Sequence, residues 1–144
     1  MTVESIRKSY TERRTAEINE YADAISALKV GDGLSVSLWT DVDAFSIIKR
    51  TATTITLQED TATLADGWTP EFTAGGFSGH CTNQDEQTYD YERNPNGAII
   101  KISLRHWRDE NGNERRKWKR VHVRTFERGG DVYIGRQKFH DYNF

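Results

Sequence analysis

Residues 31–60 read GDGLSVSLWTDVDAFSIIKRTATTITLQED, and the pattern of this stretch decides the fold. Three short runs, Leu34–Thr40, Phe45–Arg50 and Thr53–Glu59, are rich in β-branched and apolar residues. Asp41-Val42-Asp43 separates the first pair and Thr51-Ala52 the second, so the three runs predict an antiparallel meander. Gly31-Asp32-Gly33 stands in front of them as a stop signal, because glycine accepts the left-handed conformation that ends helices.

Working outward, residues 2–28 read as helical. Ile18, Tyr21, Ile25 and Leu28 fall on one apolar face, and Val3, Ile6 and Tyr10 continue a similar spacing. Ser9-x-x-Glu12 is a capping-box pattern and predicts a break near Tyr10. On the other side, residues 60–86 carry Thr-Pro and Gly-Gly signals and predict a long loop, a kind of segment that is usually functional or disordered. Tyr89–Arg93 and Ala98–Trp107 flank Asn94-Pro95-Asn96-Gly97, which predicts a hairpin. Asn111-Gly112-Asn113 turns into a strand Arg115–Phe126, and Gly129-Gly130 turns into Val132–Gly135. The expected architecture is α+β: an N-terminal helical arm, residues 1–30, on an antiparallel, curved β-sheet of residues 31–144, one domain overall. Such an arm must cover its own sheet or a partner's, and the thin apolar composition predicts a homo-oligomer.

Composition narrows the function classes. The chain has 144 residues, 35% of them hydrophobic, below the ~45–50% of typical domains. Four Trp, six Tyr and six Phe are too many for a purely solvating chain. No run approaches the ~18 apolar residues of a membrane helix. The opening MTVESIRKSYTERR lacks an apolar stretch of signal-peptide type, so an intracellular chain and no membrane partner are expected. One cysteine rules out an intrachain disulfide framework and a multi-Cys metal cage. The net charge of −2 conceals an asymmetry. Residues 1–104 hold nine Lys/Arg against 16 Asp/Glu, a balance of −7; residues 105–128 hold nine against four, a balance of +5.

The basic segment keeps aromatic company. Alternation along the strand predicted at 115–126 puts Trp118, Arg120, His122, Arg124 and Phe126 on one face. Its predicted partner carries Lys101, Ser103, Arg105 and Trp107 on one side and Ile100, Ile102 and Leu104 on the other. Arginine planes and aromatic rings are surfaces on which nucleobases stack, and arginine forks match phosphate oxygens. The plain alternative is a wet outer face on which Arg stems cover Trp rings. In the loop GGFSGHCTNQ, residues 75–84, glycines let a backbone approach a ligand, Asn83 and Gln84 can read a base edge, and Phe72 or Phe77 can stack; the plain alternative is a surface loop anchored by Phe77.

Catalytic readings find little support. His80 and Cys81 are neighbours on an extended chain and point apart, and Cys81 with His106, His122 or His140 has no standard zinc spacing. Asp41/Asp43 and Glu59/Asp60 sit in turns, where acids are turn formers. No P-loop, GxSxG or HExxH motif occurs. No catalytic residue, metal or cofactor is expected.

Several motifs together carry a resemblance: Gly31-Asp32-Gly33 with LWTDVDAFSIIKR, the third strand Thr54–Asp60, the stretch GHCTNQDEQTYDYERNPNG, then Gly129-Gly130, Ile134-Gly135-Arg136 and the aromatic tail Phe139–Phe144. Over residues 30–144 the chain resembles the first-described type of the phage anti-Thoeris signal-sponge family. The resemblance implies a non-enzymatic protein of the infected bacterial host's cytoplasm. It would capture cyclic ADP-ribose isomers, the signals of bacterial Thoeris defence, in pockets between protomers of a dimer or hexamer. Some members also hold cyclic di- or trinucleotides of CBASS defence at a second site. The family pocket uses an aromatic stack, a following asparagine and an arginine on the next long strand, which here match Phe72 or Phe77, Asn83 and Arg105. Arg120 and Arg124 are further candidates from the basic strand, and Arg13 and Arg14 for the second site. Arg105→Ala or Asn83→Ala is then expected to weaken ligand binding without unfolding the protein. The competing classes are a small β-barrel module for single-stranded nucleic acid, a nucleotide-degrading enzyme and an assembly protein without a small ligand. The acidic balance of residues 1–104 argues against a polymeric nucleic acid partner.

Overall fold

The computed structural model describes residues 2–73 and 79–143. A single helix, α1, runs unbroken over Val3–Ser26. Thr2 caps it: its side chain accepts from the Ser5 amide and Ser5 answers to the Thr2 amide, each at 3.1 Å. The break expected near Tyr10 is absent. Neither Gly nor Pro interrupts residues 3–26, and a Ser-x-x-Glu spacing inside a helix costs nothing once Thr2 supplies the cap.

The strands follow as β1 (Gly33–Ser37), β2 (Val42–Arg50), β3 (Thr54–Glu59), β4 (Thr61–Leu64), β5 (Phe72–Thr73), β6 (His80–Cys81), β7 (Tyr89–Glu92), β8 (Ile99–Arg108), β9 (Glu114–Arg120) and β10 (Val132–Ile134). Six form one antiparallel sheet in the order β10-β1-β2-β3-β8-β9. The sheet curls until its two edges nearly meet, where the Arg120 amide donates to the Gly130 carbonyl at 2.9 Å and Lys119 bridges Asp131. The α+β class with a helix on a curved antiparallel sheet is therefore what the chain adopts.

Inside the curl lie Leu34, Val36, Phe45, Ile47, Ile55, Leu57, Ile102, Trp118 and Val132, with Ala22 and Ile25 from α1. The helix also covers the β9 edge. Asn19 imitates a strand there, donating to the Glu114 carbonyl at 2.9 Å and accepting from the Arg116 amide at 3.0 Å. Arg116 and Asp23 form a two-pronged pair at 2.7 Å, and the Trp118 indole donates to Ala22 and Ser26.

Two sequence expectations fail. Asn94–Gly97 does turn, but the strands flanking it do not pair with each other: β7 pairs with β4, and β8 with β3. Residues 54–64 and 89–103 thus form one long bent ladder, bulged at 93–98. The bulge is held because the Gln58 amide donates to Pro95 and Gly97 carbonyls and the Glu59 amide to Ala98. The strand expected over Arg115–Phe126 stops at Arg120. His122 then takes a φ of 75°, and a loop carries the chain to Asp131. Consequently Trp118, expected on a ligand face, lies in the core, and Lys119, 1% exposed, donates to Asp131 and the Glu127 carbonyl.

The segment expected as a long loop, 60–86, carries β4, β5, β6 and a 3-10 turn at Gln84–Glu86. With β7 it forms an arm beyond the main sheet. The C-terminal residues stitch arm to sheet: Gln137 amide to Ser35, Lys138 amide to the Tyr91 hydroxyl, Lys138 Nζ to Asp43, and Asn143 to both the amide and carbonyl of Cys81. Among the described residues no helix is long and apolar enough to cross a membrane.

Candidate functional site

The candidate residues separate into two groups at opposite ends of the β3–β8 ladder. Phe72 and Asn83 belong to the arm, which leaves the ladder at its Gln58/Ile99 end. Arg105 and Arg124 belong to the basic segment at the other end, and Arg120, registered with Ile102, lies between the two groups. Arg105 stands six residue steps along β8 from Ile99, about 20 Å at strand rise. Among the described residues the two groups do not line a common pocket. Phe77 lies outside the described residues.

On the arm, Phe72 is 55% exposed and meets the Tyr142 ring edge-on at 6.3 Å. Tyr142 also contacts Trp68 at 5.7 Å and His140 at 4.6 Å, so the tail completes an aromatic cluster at the arm. The aromatic tail is plain in the sequence, but no local pattern signals that it returns to Trp68 and Phe72. Asn83 is committed internally: its Oδ1 accepts from the Glu71 amide at 2.8 Å and its Nδ2 donates to the Thr69 carbonyl at 2.8 Å. Cys81 is buried, with its thiol 3.5 Å from Asn83 Oδ1, while His80 is exposed.

At the basic end, Arg105 holds the loop after β9. Its guanidinium donates to Ser103 Oγ (2.8 Å), the Val123 carbonyl (3.0 Å), Thr125 Oγ1 (3.3 Å) and the Arg120 carbonyl (3.1 Å). Four of its five N–H groups are thereby engaged. Arg120 lines a shallow surface hollow with Ile99, Lys101 and His122. Arg124 projects into solvent with its side chain 88% exposed, 3.8 Å from Glu127.

Cross-strand register builds a different cation and aromatic constellation on the outer face of β8 and β9, where Trp107 opposes Arg115 and Arg105 opposes Lys117. The Lys117 ammonium stands 5.8 Å from the Trp107 ring centre and 5.6 Å from that of Phe126, and Arg115 stands 5.9 Å from Trp107. Trp107 and Phe126 meet edge-on at 5.3 Å, with Phe126 77% exposed. Burial, then the charge of Lys119, pushes the Lys117 amine below its ordinary range; Arg105 and Arg115 add to this, and Asp131 opposes it. Alternation puts Lys117 and Phe126 on opposite faces of a continuous strand; the turn at His122 instead brings Phe126 back over Trp107.

A third feature is a groove of about 550 Å³ between α1, β9 and β10. Arg14, expected at a second site, lines it together with Tyr21, Lys117, Trp118, Asp131 and Tyr133, whereas Arg13 is exposed. Among the described residues no group of three or more His, Cys, Asp or Glu is arranged to hold a metal ion.

The motifs behind the family resemblance meet at a structural joint. Arg136 donates to Asp60, the Gly31 carbonyl and Ser46, while Ser46 donates to Asp60 at 2.6 Å. Gly33 leaves room for Arg136, whose Cγ would lie 2.5 Å from any Cβ there. Comparisons with known proteins return no matching family model, no matching curated protein and no matching solved structure.

Proposed function

We propose that this protein binds and sequesters a cyclic nucleotide signal without degrading it, acting in the cytoplasm of an infected bacterial host as a phage anti-defence protein. The ligand is a cyclic ADP-ribose isomer of Thoeris signalling, with a CBASS cyclic oligonucleotide as a second cargo, and the working form is a homo-oligomer, a dimer or a hexamer. The family resemblance supplies the identity of the ligand. The observation that carries a small aromatic anion as its chemical class is the Lys117 ammonium set between the Trp107 and Phe126 rings beside Arg115 and Arg105. The rings offer stacking surfaces and the Lys117 ammonium offers a phosphate contact. Phe72 on the arm, exposed and edge-on to the half-buried Tyr142 of the tail, offers a second stacking surface.

The test is capture followed by release. Protein incubated with a cyclic ADP-ribose isomer, filtered and heat-denatured is expected to return the ligand intact by mass spectrometry. Recovery of a cleaved product makes the protein an enzyme, and recovery of nothing removes the nucleotide reading. A module for single-stranded nucleic acid is the second reading, favoured by the same exposed aromatics on a nearly closed sheet. Its affinity would fall steeply with salt, with a slope of about −0.7 per phosphate contacted, whereas a compact two-phosphate ligand loses far less.

A further inference from the structure

A hollow of about 380 Å³ lies where the arm, the tail and the start of β2 meet. The rings of Tyr89, Tyr91 and Phe139 line it, with Val42, Gln87 and Lys138. Alternation along β7 turns Tyr89 and Tyr91 to one side and the exposed Asp90 and Glu92 to the other. The two tyrosine rings stand 6.4 Å apart, inclined at 37°. Phe139 is fixed by a two-way backbone bridge to Val42, with both contacts at 2.9 Å. The polar groups carried by Tyr89, Tyr91 and Gln87 are engaged within the protein. The Tyr89 hydroxyl donates to Gln87 Oε1 at 2.5 Å, and the Tyr91 hydroxyl accepts from the Lys138 amide at 2.8 Å. Gln87 also accepts from the His140 amide and donates to the carbonyls of Gln84 and His140. What these residues leave to a ligand is ring surface.

Carboxylates outnumber cations around this hollow. The Lys138 ammonium is paired with Asp43 at 2.8 Å, and Glu59 is a second carboxylate beside the same ammonium. Burial, then the charge of Asp43, pushes the Glu59 carboxyl above its ordinary range, with Lys138 opposing. His140 is held by Asp41 at 3.4 Å. The arm that supplies both tyrosines, residues 61–92, carries Asp66, Glu71, Asp85, Glu86, Asp90 and Glu92 and no Lys or Arg, with Arg93 following it. All six acids are exposed, and among the described residues none lies in an ion pair. A cleft in such a field concentrates ions of the opposite sign, and aromatic faces attract cations through the ring quadrupole. We infer that the hollow between Tyr89, Tyr91 and Phe139 binds a methylated ammonium ion, of the quaternary class that choline represents. A quaternary ammonium has no N–H to satisfy, so the engaged hydroxyls and amide cost it nothing. A primary ammonium gives up hydrogen bonds to water and finds few acceptors in return. The volume lies within the range of small-molecule pockets. The site shares no residue with the Lys117 constellation and does not depend on the nucleotide reading.

Calorimetry tests this on the full chain, with choline chloride titrated in and sodium chloride lowered to hold the ionic strength constant. Saturation at one site per chain is expected. The neutral tert-butyl analogue of choline has the same shape without the charge, and is expected to bind about tenfold more weakly. Ammonium chloride is expected to give no saturation. Tyr89→Phe keeps the ring and should bind choline as the wild type does, whereas Tyr89→Leu and Phe139→Leu should each lose about tenfold in affinity. Circular dichroism checks that each variant keeps its helix and strands; where one does not, the comparison of choline with its neutral analogue on the wild type decides. Absence of saturation by choline overturns the inference. So does a neutral analogue or an ammonium ion that binds as tightly as choline, Leu variants of unchanged affinity, or a Tyr89→Phe loss as large as that of Tyr89→Leu. Displacement of choline by inorganic phosphate overturns it too, since that gives the hollow to the Lys138 ammonium.

Discussion

Arg105 illustrates how a side chain chosen for one role serves another. As a strand arginine beside Trp107 it has the chemistry of a phosphate ligand, but its fork is spent on the carbonyls of Arg120 and Val123 and the hydroxyls of Ser103 and Thr125. Arg105→Ala is expected to destabilise the protein by about 1.5–3 kcal/mol, the range for hydrogen bonds to charged groups, as read by urea denaturation with an unchanged m-value. Arg105→Lys should recover little, because an ammonium cannot span those acceptors. Lys117 is the cation left for a ligand, and its depressed pKa gives a pH signature. The unfolded chain holds that proton up to about 10.5, whereas the folded chain releases it earlier. Between the folded pKa and 10.5 the unfolded state binds more protons, so the Lys117 contribution to stability rises with pH across that window. Anion affinity moves the opposite way, falling as pH rises through the folded pKa. Titration calorimetry of the nucleotide between about pH 7 and pH 10 should show that fall, and Lys117→Arg should flatten it, since guanidinium stays charged.

At the scale of elements, the bulge at 93–98 decides how the arm is set. Asn94–Gly97 has the composition of a hairpin turn, and local chemistry predicts that it joins two paired strands. The strands do not pair because β3 already holds β8 and β4 continues past Asp60 to hold β7, partners that lie outside the local pattern. Gly97 is needed there because a Cβ would sit 2.0 Å from the Glu59 carbonyl oxygen, a backbone atom with little freedom to move. Gly97→Ala is expected to cost about 1–3 kcal/mol by overpacking. Hydrogen exchange would locate the damage, with faster exchange in β4 and β7 and little change in β1 and β2. The helix teaches the converse lesson. Its apolar face was legible from Ile18, Ile25 and Leu28, whereas the strand-like role of Asn19 at the β9 edge depends on a partner about 95 residues away.

At the scale of the molecule, distant segments are tied through a few buried polar groups. Asp60 begins the arm, Ser46 lies in β2, and Arg136 comes from the tail; their side chains meet, with the Asp60 carboxylate side chain only 1% exposed. Removing Arg136 leaves a buried carboxylate without its cation, so Arg136→Ala is expected to cost about 3–5 kcal/mol by chemical denaturation. The double variant with Asp60→Asn should lose less than the sum of the two single losses, because the penalty lies in the stranded charge. The same joint explains why the motifs behind the family resemblance do not themselves point at a ligand: Gly33, Asp60 and Arg136 are occupied in holding arm, sheet and tail together.

Local pattern alone settles the helical face and the β2–β3 and β8–β9 hairpins, since each rests on periodicity or turn chemistry within about a dozen residues, and the order of those elements settles the class of the fold; composition over longer segments settles the charge imbalance. The sequence by itself also determines that cations and aromatics share the segment 105–128. Tertiary structure alone decided which of those side chains are free. Trp118 and Lys119 are consumed by the core and by closure of the sheet, Arg105 by a loop, and Asn83 by the arm. Lys117, Trp107 and Phe126 are left together because a turn at His122 reverses the chain. The physical reason is that a side chain's availability depends on every acceptor and ring packed around it, and those neighbours come from segments that local sequence patterns do not connect.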